Sequence, residues 1–518
     1  MKQYIKTPTS IKYKEINSDK YILSANKYKR FDPKNTNLLD LREFVFPVTP
    51  KNKGNDVGSE NYISQSKFKY IKTKAIQDYS YILELNEQSI NNIKPQSFIN
   101  YNLQKGDILI AKDCKVEAIF IDKDYNNYTI SSGIYKIVPK NHPYYLLGFL
   151  KSEIFQQQIE FMVSRGANRK HAGTLFLDCK IPMPKDKKII NFVESIVEAI
   201  IEKEVLIKNH YDAIQSLIEN EILDHQKETT FIYKSITFAN IINSKQVRID
   251  ASLYSKEHKQ KEYFIKNYTK GVLKCIINRT KHNNENVYNL NLIDEEQNVI
   301  DEYIIKRGQN LQISQIGKSI YSDVPQKSFY TLINPTNISN FGTIEKFKYI
   351  GNKKINKFLN NGDIVFGAEG TYRSFVVLDN VENYITNIHG LVIHNKNKNI
   401  VNTIFLKCYF DFIKNKGLIN EYAVGGRGGS FSPEYWNELV IPNFNDDKKK
   451  EIASLYHNPN LKINYKIFSI EEFNIYDKFV NKNAGIYELS IIKKHLENLL
   501  QKTMEKITNL EEVAIDYS

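Results

Sequence analysis

The chain has 518 residues, 41% hydrophobic and 25% charged, with a net charge of +13. Those shares are ordinary for a soluble protein, and no apolar run approaches the ~20 residues that a membrane span needs. Four scattered cysteines, Cys114, Cys179, Cys275 and Cys408, form no CxxC pair, which excludes a disulfide framework and a zinc ribbon. A reduced, cytoplasmic protein of three or four domains is expected. The charge is uneven: residues 1–74 hold 16 Lys and Arg against 7 Asp and Glu. Such a balance favours a polyanion partner, because phosphates bind Lys and Arg with release of counterions.

In chain order, a loop-rich opening with Pro33, Pro47, Pro50, Gly54 and Gly58 precedes short strand-like runs, Asp107–Ile110 and Val116–Ile121. Residues Tyr144–Val163 read as one helix, with apolar positions three and four apart. Ile181-Pro182-Met183-Pro184 closes a first domain, 1–185. From there a helix without breakers runs to about His225 (spacer 186–228), N-capped by Asp186. Its heptad seam is Ile190, Val193, Val197, Ile200, Glu204, Ile207, Tyr211, Ile214, Ile218 and Glu221; the two polar exceptions are both Glu. At 1.5 Å per residue the helix reaches roughly 58 Å, too long for one small domain. A second domain, 229–445, starts with a helix over Val247–Lys266 and strands near Val272–Ile277. A helical insert, 446–485, has no counterpart in the first half. The last segment, 486–518, carries a second seam: Leu489, Ile492, Leu496, Leu499, Thr503, Lys506, Leu510 and Val513.

The domains repeat one another. Gly106-Asp107-Ile108 returns as Gly362-Asp363-Ile364, and Ile181-Pro182 as Ile441-Pro442, at offsets of 256 and 260. The stretch Tyr128–Gly133 returns as Tyr384–Gly390. A Gly/Arg loop, Arg165-Gly166-Ala167-Asn168-Arg169-Lys170, returns as Gly425-Gly426-Arg427-Gly428-Gly429. The pattern predicts an α+β protein: two similar mixed domains separated by two long helices that pair as an antiparallel coiled coil, with a pseudo-two-fold repeat.

Catalytic signatures are missing. Gly317-Lys318-Ser319 ends like a phosphate loop, but Gln312 stands where its first Gly belongs. Glu257-His258-Lys259 fits the end of a nuclease motif without the preceding Pro-Asp. Asn334-Pro335-Thr336-Asn337 and Asn458-Pro459-Asn460-Leu461 lack the second Pro and the aromatic of an amino-methyltransferase. No His spacing suits a metal. Binding features remain. The first Gly/Arg loop, with His171, gathers three fixed positive charges into seven residues, and Arg can fork onto guanine or phosphate. The DNA-binding candidates are Arg165, Arg169, Lys170 and His171; Arg427 and Ser430 in the second loop; Tyr372 and Arg373 in the turn after the second Gly-Asp strand; and Lys112 and Lys115 in the matching first turn.

Taken together, the repeated Gly-Asp-Ile strand, Ile130-Ser131-Ser132-Gly133-Ile134-Tyr135, the Ile-Pro-Met-Pro run before a long helix, and Arg248-Ile249-Asp250-Ala251-Ser252-Leu253-Tyr254 resemble the specificity (S) subunit of Type I restriction-modification systems. The resemblance covers roughly residues 18–444 plus the last helix. It implies two target-recognition domains, each reading one half of a split double-stranded DNA sequence. It implies no catalytic site or cofactor in this chain. S-adenosylmethionine would sit in partner DNA adenine methyltransferase subunits, and ATP and Mg in a restriction subunit where one joins. The helices would space the domains and dock those partners, with Ile200, Ile207, Ile214, Leu496 and Leu499 as candidates. The insert 446–485 also resembles the helical tail of some single-chain restriction-methylation enzymes. Two other classes stay open: a divergent nuclease or methyltransferase, and a scaffold or RNA-binding adaptor whose basic charge is incidental.

Overall fold

The structure is a computed structural model that describes residues 4–18, 28–112, 115–162, 173–242, 248, 250–282, 285–344, 346–378, 383–425, 429–464 and 466–518. It divides into two compact units. The first comprises Met1–Leu206, Leu461–Asn483 and Leu489–Ser518; the second comprises Ile207–Asn460 and Ala484–Glu488.

The first unit is built from short strands: β1 (Leu38–Asp40), β2 (Lys69–Ile71), β3 (Ile90–Asn92), β4 (Ile108–Ala111), β5 (Glu117–Phe120), β6 (Tyr128–Ile130) and β7 (Ile134–Ile137). Helices α1 (Pro143–Leu150) and α2 (Glu153–Met162) follow, then β8 (Lys180–Pro182). One sheet has the order β3-β2-β6 and another β5-β4-β7, while β8 pairs with β1. Their aliphatic residues meet in one core that includes Ile71, Leu109, Ile119, Ile130 and Ile134. The single helix expected over Tyr144–Val163 is two helices. Ser152 breaks it by donating its hydroxyl back to Phe149 O (2.6 Å), and the buried Lys151 turns its ammonium to Gln77 O (3.1 Å).

Helix α3 (Lys187–Asp224) begins where Asp186 accepts the Lys188 N–H at 2.9 Å, the expected N-cap. In the second unit α4 (Lys256–Lys266) precedes β9 (Val272–His282), β10 (Glu285–Ile293), β11 (Val299–Arg307), β12 (Ile320–Ser322), β13 (Tyr330–Ile333) and β14 (Lys348–Gly351). Then come β15 (Ile364–Gly367), β16 (Ser374–Val376), β17 (Tyr384–Thr386), β18 (Gly390–Asn395), α5 (Ile400–Asn415), α6 (Leu418–Tyr422), β19 (Val440–Pro442) and α7 (Asp446–Tyr456). The sheets run β16-β15-β18-β11-β10-β9-β19 and β12-β14-β13-β17.

The sequence repeat is a repeat of strand pairings. The parallel pair β2·β6 (Tyr70↔Thr129) returns as β13·β17 (Leu332↔Ile385). Strand β4 lies between β5 and β7 as β15 lies between β16 and β18. The closing pair β1·β8 (Leu39↔Ile181) returns as β9·β19 (Leu273↔Ile441). The Gly-Asp-Ile motif opens the central strand of each copy. Gly106 and Gly362 take φ of +100° and +85°, which only glycine adopts cheaply. The Asp carboxylates cap the same turn: Asp107 accepts Gln104 N–H (2.9 Å) and Asp363 accepts Asn360 N–H (2.8 Å).

Within the first unit α3 runs antiparallel to the last helix. Lys493 pairs with Glu204 at 2.7 Å, and a Cβ added to Gly148 of α1 would lie 3.1 Å from Val197 and 3.3 Å from Leu500. Every seam position of α3 from Ile190 to Ile218 is buried. Its polar exceptions are anchors. The Glu204 carboxylate accepts the N–H groups of Tyr81 and Ile82 (2.9 and 3.1 Å) and the Ser80 hydroxyl (3.1 Å). In the second unit Glu221 accepts Tyr268 Oη and Lys270 Nζ, both at 2.9 Å. The region 446–485 resolves into α7, capped by Asn445, and α8 (Ile470–Asn483), whose Asp477 meets the buried Lys203 at 2.5 Å. The final helix, α9, spans Ile486–Asn509. The second seam departs from expectation there: Lys506 and Leu510 are exposed, Leu510 has φ +55°, and Leu500, Met504 and Ile507 are buried instead. An α-helix of 3.6 residues per turn drifts off a strict heptad unless it supercoils.

Replacing Glu204 by Ala removes the acceptor of the Tyr81 and Ile82 N–H groups and leaves Lys493 with Glu497 (3.5 Å) and Tyr79 O (3.0 Å). The expected cost is about 2–4 kcal/mol, from buried donors left unsatisfied at ~1–3 kcal/mol each. Thermal unfolding followed by circular dichroism should show a lowered transition; an unchanged one would remove Glu204 as the anchor.

Candidate nucleic-acid interface

The first Gly/Arg loop, with Arg165, Arg169, Lys170 and His171, lies outside the described residues, as does Arg427. The feet of the second loop are described. Val424 and Ser430 exchange backbone hydrogen bonds of 2.9 and 3.0 Å, and Gly425 between them has φ +100°. The turn after β15 holds the far foot: Tyr372 donates its hydroxyl to Gly429 O (2.7 Å), Gly370 N–H reaches the same oxygen (3.3 Å), and Phe431 N–H donates to Ala368 O (2.8 Å). Phe366, Phe410, Phe431 and the buried Trp436 pack beneath.

The near foot is held by Arg248, from the Arg-Ile-Asp stretch. Its Nη1 donates to Tyr422 O (2.6 Å), its Nε to Asp250 (2.7 Å), and its guanidinium lies 4.9 Å from the Tyr435 ring centroid. Behind it is a buried charge cluster. His258 Nδ1 lies 2.6 Å from Glu421 and its Nε2 3.5 Å from Glu262, while Tyr422 donates to Glu262 at 2.7 Å. Burial pushes the His258 pKa down, but Glu262 and Glu421 outweigh burial and hold it above the usual 6.5. Burial raises both carboxyls, yet His258 and the neighbouring lysines bring them below the usual carboxylate value.

The sequence candidates therefore separate. Tyr372 is buried and holds the loop rather than being presented at the surface. Arg373 donates Nη1 to Ile338 O (2.8 Å), away from the loop. Ser430 is a backbone partner of the loop's own foot. In the first unit, Lys115 pairs with Glu117 (2.6 Å) and Asp78 (3.4 Å), and Lys112 Nζ lies 5.9 Å from the Tyr135 ring centroid. Ile200, Ile207, Ile214 and Leu496 are core side chains and Leu499 is half-buried, so they do not offer a docking surface in this structure.

Two basic positions escaped the sequence reading. Arg307-Gly308-Gln309 and Lys53-Gly54-Asn55 are equivalent: Gly308 N–H donates to Gly390 O as Gly54 N–H donates to Ile134 O. A Cβ at Gly308 would stand 2.3 Å from Asn387 O, and one at Gly54 2.1 Å from Ser131 O. Only glycine permits that approach. Arg307 and His389 flank Glu369 at 3.3 and 2.7 Å beside the second loop's feet. The signal was present as a basic-Gly-amide triplet in each copy. Among the described residues no group of His, Cys, Asp and Glu is arranged to hold a metal, and no helix is long and apolar enough to cross a membrane.

No family model matches the sequence, and no curated protein matches it. Among solved structures the chain is similar to the S subunit of a Type I restriction-modification system from M. genitalium, with 11% identity, a TM-score of 0.33, and 91% of this chain and 98% of that chain covered. It is also similar to the HsdS subunit from Thermoanaerobacter tengcongensis, with 11% identity, a TM-score of 0.24, and 91% and 96% covered. A third likeness is to a chain from work on complex assembly and conformational transition of the type I R-M system, with 10% identity, a TM-score of 0.26, and 91% and 97% covered.

Tyr372→Phe removes the hydroxyl that holds Gly429, at a cost of about 1 kcal/mol. Trypsin should then cleave after Arg427 faster than in the wild type; equal rates would mean that the feet are held without Tyr372. The pH dependence of the His258 cluster has a definite sign. A raised histidine pKa contributes stability that is complete below 6.5 and disappears as pH rises through the folded value. The depressed carboxyls contribute above their usual value, so the cluster is tightest in weak acid. The stability gap between wild type and His258→Gln should be largest near pH ~6 and shrink toward pH ~9; a gap independent of pH would exclude the charged pair.

Proposed function

We propose that this chain is a DNA-binding specificity subunit of a Type I restriction-modification system. It reads a bipartite duplex target and directs partner DNA adenine methyltransferase subunits, with a restriction subunit where present, to that target. The observation that carries the reading is the duplicated pairing scheme: two units with the same Gly-Asp strand, the same parallel pair and the same closing strand. Each copy has its own Gly/Arg loop before that closing strand. A duplicated fold offers two separate reading surfaces, and base-edge contacts in each supply sequence while Lys and Arg on phosphate supply affinity. In this reading residues 1–185 and 229–445 are the two target-recognition domains.

The chemistry belongs to the partners. Methyl transfer needs S-adenosylmethionine and a pocket for a flipped adenine, and the Asn/Asp-Pro-Pro-aromatic signature of such a pocket is missing from this sequence. The second reading, a recognition part of a single-chain restriction-methylation enzyme, is favoured by one feature, the helical region 446–485. The decisive experiment is methylation of genomic DNA by the purified chain, by the partner methyltransferase, and by both. Activity at one bipartite motif only in the mixture is expected. Methylation by the chain alone would overturn the proposal.

A further inference from the structure

The two units differ most between the strand that pairs with the closing strand and the basic-Gly-amide triplet. In the first unit the chain goes from β1 to Lys53 by way of two short helical turns, Leu41–Phe44 and Pro50–Asn52. In the second the same interval is filled by the meander β9-β10-β11; β9 and β10 pair in continuous register from Lys274↔Ile293 to His282↔Glu285, and beyond Tyr288, where the pairing of β10 with β11 ends, they run on as a two-stranded ribbon. Its root is core, with Cys275, Leu290 and Leu292 buried. Its outer part, from Asn278 to His282, is exposed. At ~3.4 Å per residue the exposed stretch of β9 is about 14 Å long; its tip, Thr280–His282 against Glu285–Val287, is two-stranded, and a B-DNA major groove, ~12 Å wide and ~8.5 Å deep, admits a β-ribbon.

The ribbon's outer end has the side chains for such a partner. Arg279 and Lys281 are adjacent on one face. Arg279 is 51% exposed and donates Nε to Asn286 at 3.1 Å, while its Nη1 lies 3.9 Å from Glu434. Lys281 is exposed and, among the described residues, has no ion-pair partner. On the opposite face Asn278 stands across from Asn289, and a carboxamide can pair with an adenine edge. Glu285, the acidic residue at this end, is compensated by Lys357 at 2.6 Å. The position fits as well. Tyr288, cross-strand from Arg279, donates to Glu434 at 2.5 Å, and Glu434 lies four residues after the Ser430 foot of the Gly/Arg loop.

We propose that the β9·β10 ribbon is a second DNA-reading element present in only one of the two units, so that the two half-sites are read by unequal machinery. This rests on the DNA-reading proposal above. The test is selection of random duplexes by the full chain with its methyltransferase partner, followed by titration of the selected duplex at several salt concentrations. Wild type, Arg279→Ala and Lys281→Ala are compared, all sites being exposed so that folding is preserved, with circular dichroism as the check. Arg279→Ala should relax selection at a base of one half-site by roughly 10-fold and leave the other half-site unchanged. Lys281→Ala should flatten the log–log salt slope by about one unit. If wild type selects a bipartite motif and both variants select it with the same slope, the ribbon is not at the DNA while the DNA-reading proposal stands. If wild type selects no motif, both fall.

Discussion

Each unit depends on one pairing between an early strand and its last strand. Leu38–Asp40 pairs with Lys180–Pro182, and Val272–Lys274 with Val440–Pro442. These are among the longest-range strand contacts in either copy, and loop closure over more than a hundred residues costs entropy that local contacts do not return. Proline as the last residue of each closing strand also sets direction. It lacks an N–H, so the ladder cannot continue past it. In the first copy the chain then leaves toward α3, and in the second toward α7.

Charge inside this molecule is used mostly for holding parts in place. Glu204, Glu221, Lys203 and Asp477 tie the long helices to the globules, and His258, Glu262 and Glu421 support one foot of the second Gly/Arg loop. The count of 72 Lys and Arg therefore overstates what is free to meet a polyanion. Lys115 looks like a phosphate contact on paper but faces two carboxylates, whereas Lys281 faces none among the described residues. Choosing between these requires partners in space, which a charge count does not contain.

That difference separates what was legible in the sequence from what was not. Periodicity over long stretches was legible: the seam of α3 is buried as read, and its two Glu exceptions proved to be anchor points. The repeat was legible because Gly-Asp turns and Ile-Pro closings are local. The break at Ser152 was not, because it depends on a buried Lys151 reaching carbonyls some seventy residues away. Nor was the end of the second seam, where the helix stops at Asn509, before Leu510, and its buried face drifts at 3.6 residues per turn. Tyr372 was misread as a presented side chain because its partner, Gly429 O, is 57 residues distant.

The discontinuity of the first unit has a consequence for synthesis. Lys203 and Glu204 are made early, yet Asp477 and Lys493 emerge some 270 to 290 residues later. At ~5–20 residues per second, the nascent chain waits roughly 15–60 s with two charged groups and the α1–α3 surface uncovered. Throughout that interval the second unit is itself being made. The first globule is thus begun first and finished last, and a ribosome that stalls before residue 477 leaves an apolar groove exposed, a natural substrate for chaperones.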